Sequence, residues 1–254
     1  MTTDLNKRDW IAGLEYGLAV IAAFDHANPR LTATQAAERA GLTRTAARRY
    51  LLTLVHLGYA ASDGKLFWLT PRVLRLGWSY LESARLPRTV QPYLQRITGL
   101  VGEAAYCAVL DGDEVVYVAR NGVNRVQNVG FVLGARVPAS VSSAGIAMLS
   151  TRPPEQVEAW LARQTFHPFT PFTMIDRTSV RQAIDRARMT GYALLEQQME
   201  QNVRGIAVSL RNRVGEVVGA LSVSLVMSKE STEQTVERVL PILLEGAHSL
   251  LNAV

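Results

Sequence analysis

The stretch from Thr32 to Leu57 constrains the fold of this chain more than any other. Thr32 stands three residues before Gln35, the spacing of a capping box that opens a helix. The helix it opens, Ala33–Ala40, is short and rich in alanine, and Gly41 follows as a residue able to take the left-handed turn that ends a helix. Thr43 then fits the N-cap of a second helix, Arg44–Leu57. Two short helices joined by a tight glycine-containing turn form a helix-turn-helix pattern. Upstream, Ile11–Asp25 carries apolar residues at 11, 14, 18, 21 and 22, which is helical spacing, and the pattern breaks at Asn28-Pro29.

The second helix of the pair holds most of the chemistry. Ala47, Leu51 and Leu54 share one face, while Thr45 and Arg49 point nearly opposite, at about 100° per residue. Arg48 lies beside them and Arg44 sits in the first turn. No acid occurs between Glu38 and Asp63. Three arginines and a threonine without acids suit the phosphates and base edges of a DNA major groove. Beyond the helix, Asp63-Gly64 separates two apolar-containing segments, the signature of a hairpin, here in the place of a wing. Lys65, just past that turn, is positioned to meet a backbone phosphate. A small helical domain with a hairpin used for protein contacts is the alternative; the order of turn, charged face and wing favours nucleic acid. Charge placement agrees. Residues 1–90 hold 12 Lys+Arg against 7 Asp+Glu, and residues 91–254 hold 15 of each, so the whole formal excess of +5 lies in the first third. Solvated surface charge would give the same counts.

The chain is long enough, at 254 residues, for one large domain or two smaller ones. No apolar run approaches the roughly 20 residues that span a bilayer, and Met1 to Asp9 lacks the apolar core of a secretory leader. A single cysteine, Cys107, allows no intrachain disulfide. These features predict a cytoplasmic protein with no membrane partner. After the wing, Pro71 fits the first turn of a helix over Arg72–Ala84. Val73, Leu74, Leu76, Trp78, Tyr80 and Leu81 make that helix apolar on more than one face, which predicts packing against both its own domain and a second copy of the chain. A homodimer also suits a palindromic DNA site. A further helix is predicted over Val90–Leu100.

The remaining chain alternates strand and helix signals. Strands are predicted over Ala104–Leu110, Glu114–Arg120, Val126–Leu133, Tyr192–Glu196, Ile206–Leu210 and Glu216–Val226. Helices are predicted over Ser142–Ser150, Pro154–Gln164, Thr178–Gly191 and Thr232–Ala253, the last with a kink at Pro241. Catalytic signatures are lacking. His26, His56, His167 and His248 are scattered, Cys107 sits in an apolar strand, and no nucleophile elbow, phosphate loop or dinucleotide fingerprint occurs. The expectation is a protein that is not an enzyme and uses neither cofactor nor metal. Two groups of small polar residues stand out instead: Pro138-Ala-Ser-Val-Ser-Ser143-Ala144-Gly145 at a helix start, a seat for a carboxylate, and Ser222 with Ser224, two apart on one strand face. Either these hydroxyls bond to neighbouring backbone or a ligand supplies their partners.

Several segments taken jointly resemble the IclR family of regulators over nearly the full length. They are Arg8-Asp-Trp-Ile-Ala-Gly-Leu-Glu, the recognition-helix stretch Gly41-Leu-Thr-Arg-Thr-Ala-Ala-Arg-Arg-Tyr-Leu-Leu-Thr-Leu, Leu69-Thr-Pro-Arg-Val-Leu, Val116-Tyr-Val-Ala-Arg120 and Val203-Arg-Gly-Ile-Ala. Within the family the branch controlling aromatic-acid catabolism is most similar. The resemblance implies an α/β multi-domain chain. Residues 1–70 would form a winged helix-turn-helix, 71–100 linker and dimerisation helices, and 101–254 a GAF-like effector-binding domain. It implies dimers that pair into tetramers, with double-stranded promoter DNA, a small-acid effector and RNA polymerase as candidate partners. Arg44, Thr45, Arg48, Arg49 and Lys65 are the expected DNA contacts. Ser143, Ala144, Gly205, Ser222 and Ser224 would line the effector pocket, with Val126 and Val129 completing its wall. Leu195 stands where small-acid sensors of the family often carry an acid, which favours 4-hydroxybenzoate or protocatechuate over glyoxylate or pyruvate; β-ketoadipate or another small organic acid is the alternative.

Overall fold

The computed structural model describes residues 6, 8–122, 132–227, 230–251 and 253. The chain divides into two compact units, Met1–Tyr80 and Leu81–Val254.

The first unit opens with α1 (Ala12–Ala22), α2 (Ala33–Ala40) and α3 (Arg44–His56). The capping box at Thr32 is complete, since the Thr32 hydroxyl accepts from Gln35 N and the Gln35 carboxamide accepts from Thr32 N at 2.9 Å. Gly41 ends α2 at a φ of +66°, a left-handed value that costs a glycine little. Strands β1 (Ala60–Ser62) and β2 (Phe67–Leu69) pair antiparallel as the wing. A small core of Val20, Leu31, Ala36, Leu51, Leu54 and Phe67 holds these elements together. Of the apolar stripe of α1, Ile21 packs against it and the rest does not. Ile11, Leu14 and Leu18 are 72, 64 and 53% exposed, and Val20 is the helix residue that is buried.

The boundary between the units falls inside α4 (Leu74–Ser83), which follows a 3₁₀ turn at Pro71–Val73. Leu74, Leu76, Trp78 and Tyr80 of α4 are all exposed. The segment 71–100, expected to hold linker and dimerisation helices, is divided between the two units. Its second part, α5 (Arg85–Val101), buries Val90, Leu94, Ile97 and Val101 in the core of the second unit.

The second unit is built on one antiparallel sheet. Its strands are β3 (Ala104–Asp111), β4 (Glu114–Asn121), β5 (Arg136–Pro138), β6 (Ala193–Glu196), β7 (Val203–Arg211) and β8 (Val217–Val226), in the order β5-β4-β3-β8-β7-β6. The sheet has a core on each face. On one side Ala105, Cys107, Ile206, Val208, Leu221 and Val223 pack against α5 and α9 (Thr232–Leu250). On the other, Ala104, Tyr106, Tyr117, Ala207 and Ala220 pack against α6 (Ser143–Leu149), α7 (Pro154–Arg163) and α8 (Arg177–Thr190). Small residues on this second face let α6 lie close to the strands. The closeness has a local cause too: a Cβ at Gly145 would stand 2.3 Å from the Ala139 carbonyl oxygen, so only glycine fits where α6 crosses the preceding turn. Strand β5 was not anticipated, because three residues beginning with arginine and ending in proline carry little period-two signal. The strand predicted over Val126–Leu133 lies almost wholly outside the described residues. Helix α9 runs through Pro241.

Candidate functional sites: a helix face and a small cavity

The N-terminal half of α3 presents the charged face read from the sequence. The Thr43 hydroxyl caps the helix by accepting from Ala46 N at 3.3 Å. Ala47, Leu51 and Leu54 are buried, which fixes the rotation of the helix and leaves Arg44, Thr45, Arg48 and Arg49 exposed. The neighbouring helix makes a useful contrast. Arg39 is spent on structure, pairing with Asp25 and donating from Nε to the Ala23 carbonyl at 2.6 Å. Among the described residues, Arg44, Arg48 and Arg49 form no such pair.

The wing carries Lys65, exposed at its tip. Asp63 folds the turn by accepting from Leu66 N at 2.8 Å and Lys65 N at 3.0 Å. Those two backbone donors hold the Asp63 carboxyl below the usual aspartate range. Gly64, at a φ of +98°, completes the turn. At the base of the wing the Arg30 guanidinium stacks over Trp68, 4.3 Å from the ring centre.

The second site is a cavity of about 180 Å³ in the second unit. Strand alternation builds it. On β7, Val203 and Gly205 face the α6 side, while Arg204 and Ile206 face the other. Gly205 pairs with Ser224 of β8, and both line the cavity. A Cβ at Gly205 would lie 2.8 Å from the Ser143 hydroxyl oxygen, so the glycine makes room for that hydroxyl. The deep end is polar and buried: Tyr117, Ser142 and Ser143 are 4, 5 and 8% exposed. Tyr117 Oη and Ser142 Oγ lie 3.3 Å apart. Burial pushes the Tyr117 phenol up to about 12, despite the lowering effect of Ser142, so it stays a neutral donor near pH 7. Val141, Leu195, Met199 and Val203 supply apolar wall. Gln198 and Glu200, from the segment between β6 and β7, complete the lining.

That segment is held firmly. The Gln198 carboxamide accepts from Met174 N at 2.8 Å and donates to Phe172 O and Glu196 O, each at 2.9 Å. The Thr173 hydroxyl donates to Gln198 O at 2.6 Å. Gln197 and Asn202 bracket it with φ values of 54° and 62°, unusual for residues with side chains. Behind the sheet, buried Arg204 ties three elements together. It contacts Glu196 Oε1 at 2.7 Å, Ser231 O at 3.1 Å and Thr232 Oγ1 at 3.1 Å, with Thr235 also in its grip.

The sequence reading and the cavity agree in part. Ser143, Gly205 and Ser224 lie on its wall. Ala144 and Ser222 do not: both are buried in the core between α6 and the sheet, at 0 and 3% exposure. The reason differs for each. Ala144 turns one step around α6 from Ser143, and Ser222 sits opposite Tyr106 and Ala207, one pleat farther along the same face as Ser224. Val126 and Val129 lie outside the described residues. The start of α6, expected as a carboxylate seat, lies on the cavity wall through Ser142 and Ser143. Tyr117, Gln198, Met199 and Glu200 were missed; only the alternation of β4 pointed toward Tyr117. The Cys107 thiol is buried and pushed up to about 12 by desolvation, in keeping with an inert core residue. Among the described residues, no group of three or more His, Cys, Asp or Glu is placed to hold a metal, and no helix is long and apolar enough to cross a membrane.

Comparison with known proteins fits this two-part layout. Residues 13–64 match the IclR helix-turn-helix domain, and residues 78–251 match the bacterial transcriptional regulator IclR C-terminal domain. The chain is 38% identical to the Pca regulon regulatory protein of Pseudomonas putida, covering 95% of this chain and 84% of that protein. It is 37% identical to the p-hydroxybenzoate hydroxylase transcriptional activator of Acinetobacter baylyi, covering 99 and 94%. A crystal structure from Rhodococcus sp. RHA1 superimposes with a TM-score of 0.81 at 38% identity, covering 95% of this chain and 97% of that one. An IclR homolog from Microbacterium hydrocarbonoxydans, crystallised with 4-hydroxybenzoate, matches with a TM-score of 0.74 at 27% identity, covering 94 and 97%. The chain belongs to the IclR family of transcriptional regulators, which are not enzymes.

Proposed function

We propose that this regulator senses 4-hydroxybenzoate or protocatechuate in the cavity beside α6 and controls genes of aromatic catabolism. The observation that carries the reading is the cavity itself. Its volume of about 180 Å³ is small beside the roughly 300–1,000 Å³ of drug-sized ligand sites. It is comparable to the ~150 Å³ cavity engineered in another protein that accepts benzene. One substituted ring fits that measure. Val141, Leu195, Met199 and Val203 offer apolar contact to the ring, and Tyr117, Ser142, Ser143 and Ser224 offer hydroxyls to a carboxylate. The names of the Pseudomonas and Acinetobacter relatives, and the 4-hydroxybenzoate bound by the Microbacterium homolog, support the same class of acid.

On the DNA side, Arg44, Thr45, Arg48 and Arg49 enter the major groove of promoter DNA in the cytoplasm, and Lys65 touches phosphate from the wing. The exposed apolar residues of α1 and α4 pack against a second copy, giving a dimer that can pair into a tetramer. Effector binding shifts the population between arrangements of the DNA-binding units that differ in operator affinity. Calorimetric titration of the full chain with each acid tests the sensing step. Saturable 1:1 binding at micromolar concentration is expected from at least one. No heat and no thermal stabilisation from either would overturn the assignment.

A further inference from the structure

We infer that Glu200 makes this cavity select monocarboxylic acids, seated with the carboxylate inward and a neutral hydrogen-bond donor at the outer end. The inference rests on the cavity being the effector site and goes on to define which acids it takes. The lining is chemically lopsided. Its buried end carries the hydroxyls of Tyr117, Ser142 and Ser143, with Ser224 beside them. Its exposed end carries Glu200, and among the described lining residues there is no Lys, Arg or His.

Two consequences follow from charge alone. A carboxylate accepts hydrogen bonds only, and several hydroxyl donors at the deep end can satisfy one such group. Among the described lining residues, a second carboxylate at the other end of the ligand would meet no cation and would face the anionic Glu200. The same repulsion sets orientation. A hydroxybenzoate bound the other way round would bring its carboxylate to Glu200 and leave its phenol among the serines. With the carboxylate inward, a phenolic O–H at the far end can donate to Glu200. The cavity therefore discriminates against dicarboxylates, the class that includes β-ketoadipate, by charge as well as by shape. Glu200 is free to play this part because Gln198, not Glu200, makes the hydrogen bonds that hold its segment.

A size-matched pair of probes isolates the charge. Terephthalate and 4-carbamoylbenzoate share ring, length and inner carboxylate and differ only in whether the outer group is anionic. Each is measured on the full chain by its ability to displace 4-hydroxybenzoate. At low salt the amide is expected to bind roughly tenfold more tightly than the diacid, a gap that shrinks as salt is added. Glu200→Gln should close most of the gap and Glu200→Lys should reverse it. Because Glu200 is exposed in a turn, both variants are expected to keep the unfolding midpoint of the parent. Equal binding of the two probes, a gap unmoved in both variants, or failure of both probes to compete would overturn the inference. In the last case size, not charge, sets the exclusion. If 4-hydroxybenzoate itself fails to bind, the effector assignment fails first and separately.

Discussion

Helices α3 and α6 are both short, yet α3 buries only Ala47, Leu51 and Leu54, whereas every residue from Ser143 to Leu149 of α6 is buried. On the function proposed, the difference follows from what each helix would have to meet. A duplex is a large polyanion, so the helix that reads it can keep its arginines in water until binding and needs only a narrow apolar seam to hold its rotation. A small acid must leave water entirely, so the helix beside it has to be enclosed, small in side chain and fitted closely to the sheet. One site is made by charge held outward, the other by space held inward.

That contrast predicts opposite sensitivities. Replacing Arg48 and Arg49 together by alanine should weaken operator binding at least ~30-fold, since each groove-contacting arginine is worth about 1–3 kcal/mol. The heat of 4-hydroxybenzoate binding should stay as in the parent. Equal DNA affinity by fluorescence anisotropy would move the recognition face elsewhere. Gly145→Ala should act the other way. Its Cβ has no room against the backbone of Ala139, so the second unit should lose about 1–3 kcal/mol in denaturant unfolding, with the helix-turn-helix unit little affected. Gly205→Ala is milder, because the clash is with the Ser143 hydroxyl, which can rotate away. The expected cost is roughly tenfold in 4-hydroxybenzoate affinity with a near-parental melting temperature. Least of all, acid should erode the second unit through Glu230. The hydrogen bonds of Arg238 hold that carboxyl below its ordinary value of 4.5. A depressed value means the stabilisation is present above 4.5 and is lost as pH falls through the folded value. A melting temperature of the second unit that stayed level well below pH 4.5 would contradict this.

The same contrast explains how much could be read in advance. The capping box at Thr32, the glycine at position 41 and the arginines flanking Ala47 are local signals, each written within four residues of what it controls. The helix-turn-helix and the outward face of α3 were accordingly legible. The cavity is assembled from Tyr117, Ser143, Gly205 and Ser224, which meet only because the strand order runs β4-β3-β8-β7. Strand periodicity placed Ser222 and Ser224 on one face but could not say which of the two reaches the space. Glu200 lies in a connecting segment, where no periodicity applies. The exposed stripe of α1 shows a limit of another kind: helical spacing identifies an apolar face without saying whether its partner is in the same chain.

The measurement that bears most directly on the whole account is the affinity of the full chain for a duplex obtained by in vitro selection, with and without saturating 4-hydroxybenzoate, by fluorescence anisotropy. A change of at least about fivefold is expected, the lower end of ordinary allosteric coupling, and a much smaller one in Gly205→Ala at the same ligand concentration. Unchanged DNA affinity under conditions where calorimetry shows the acid bound would contradict it.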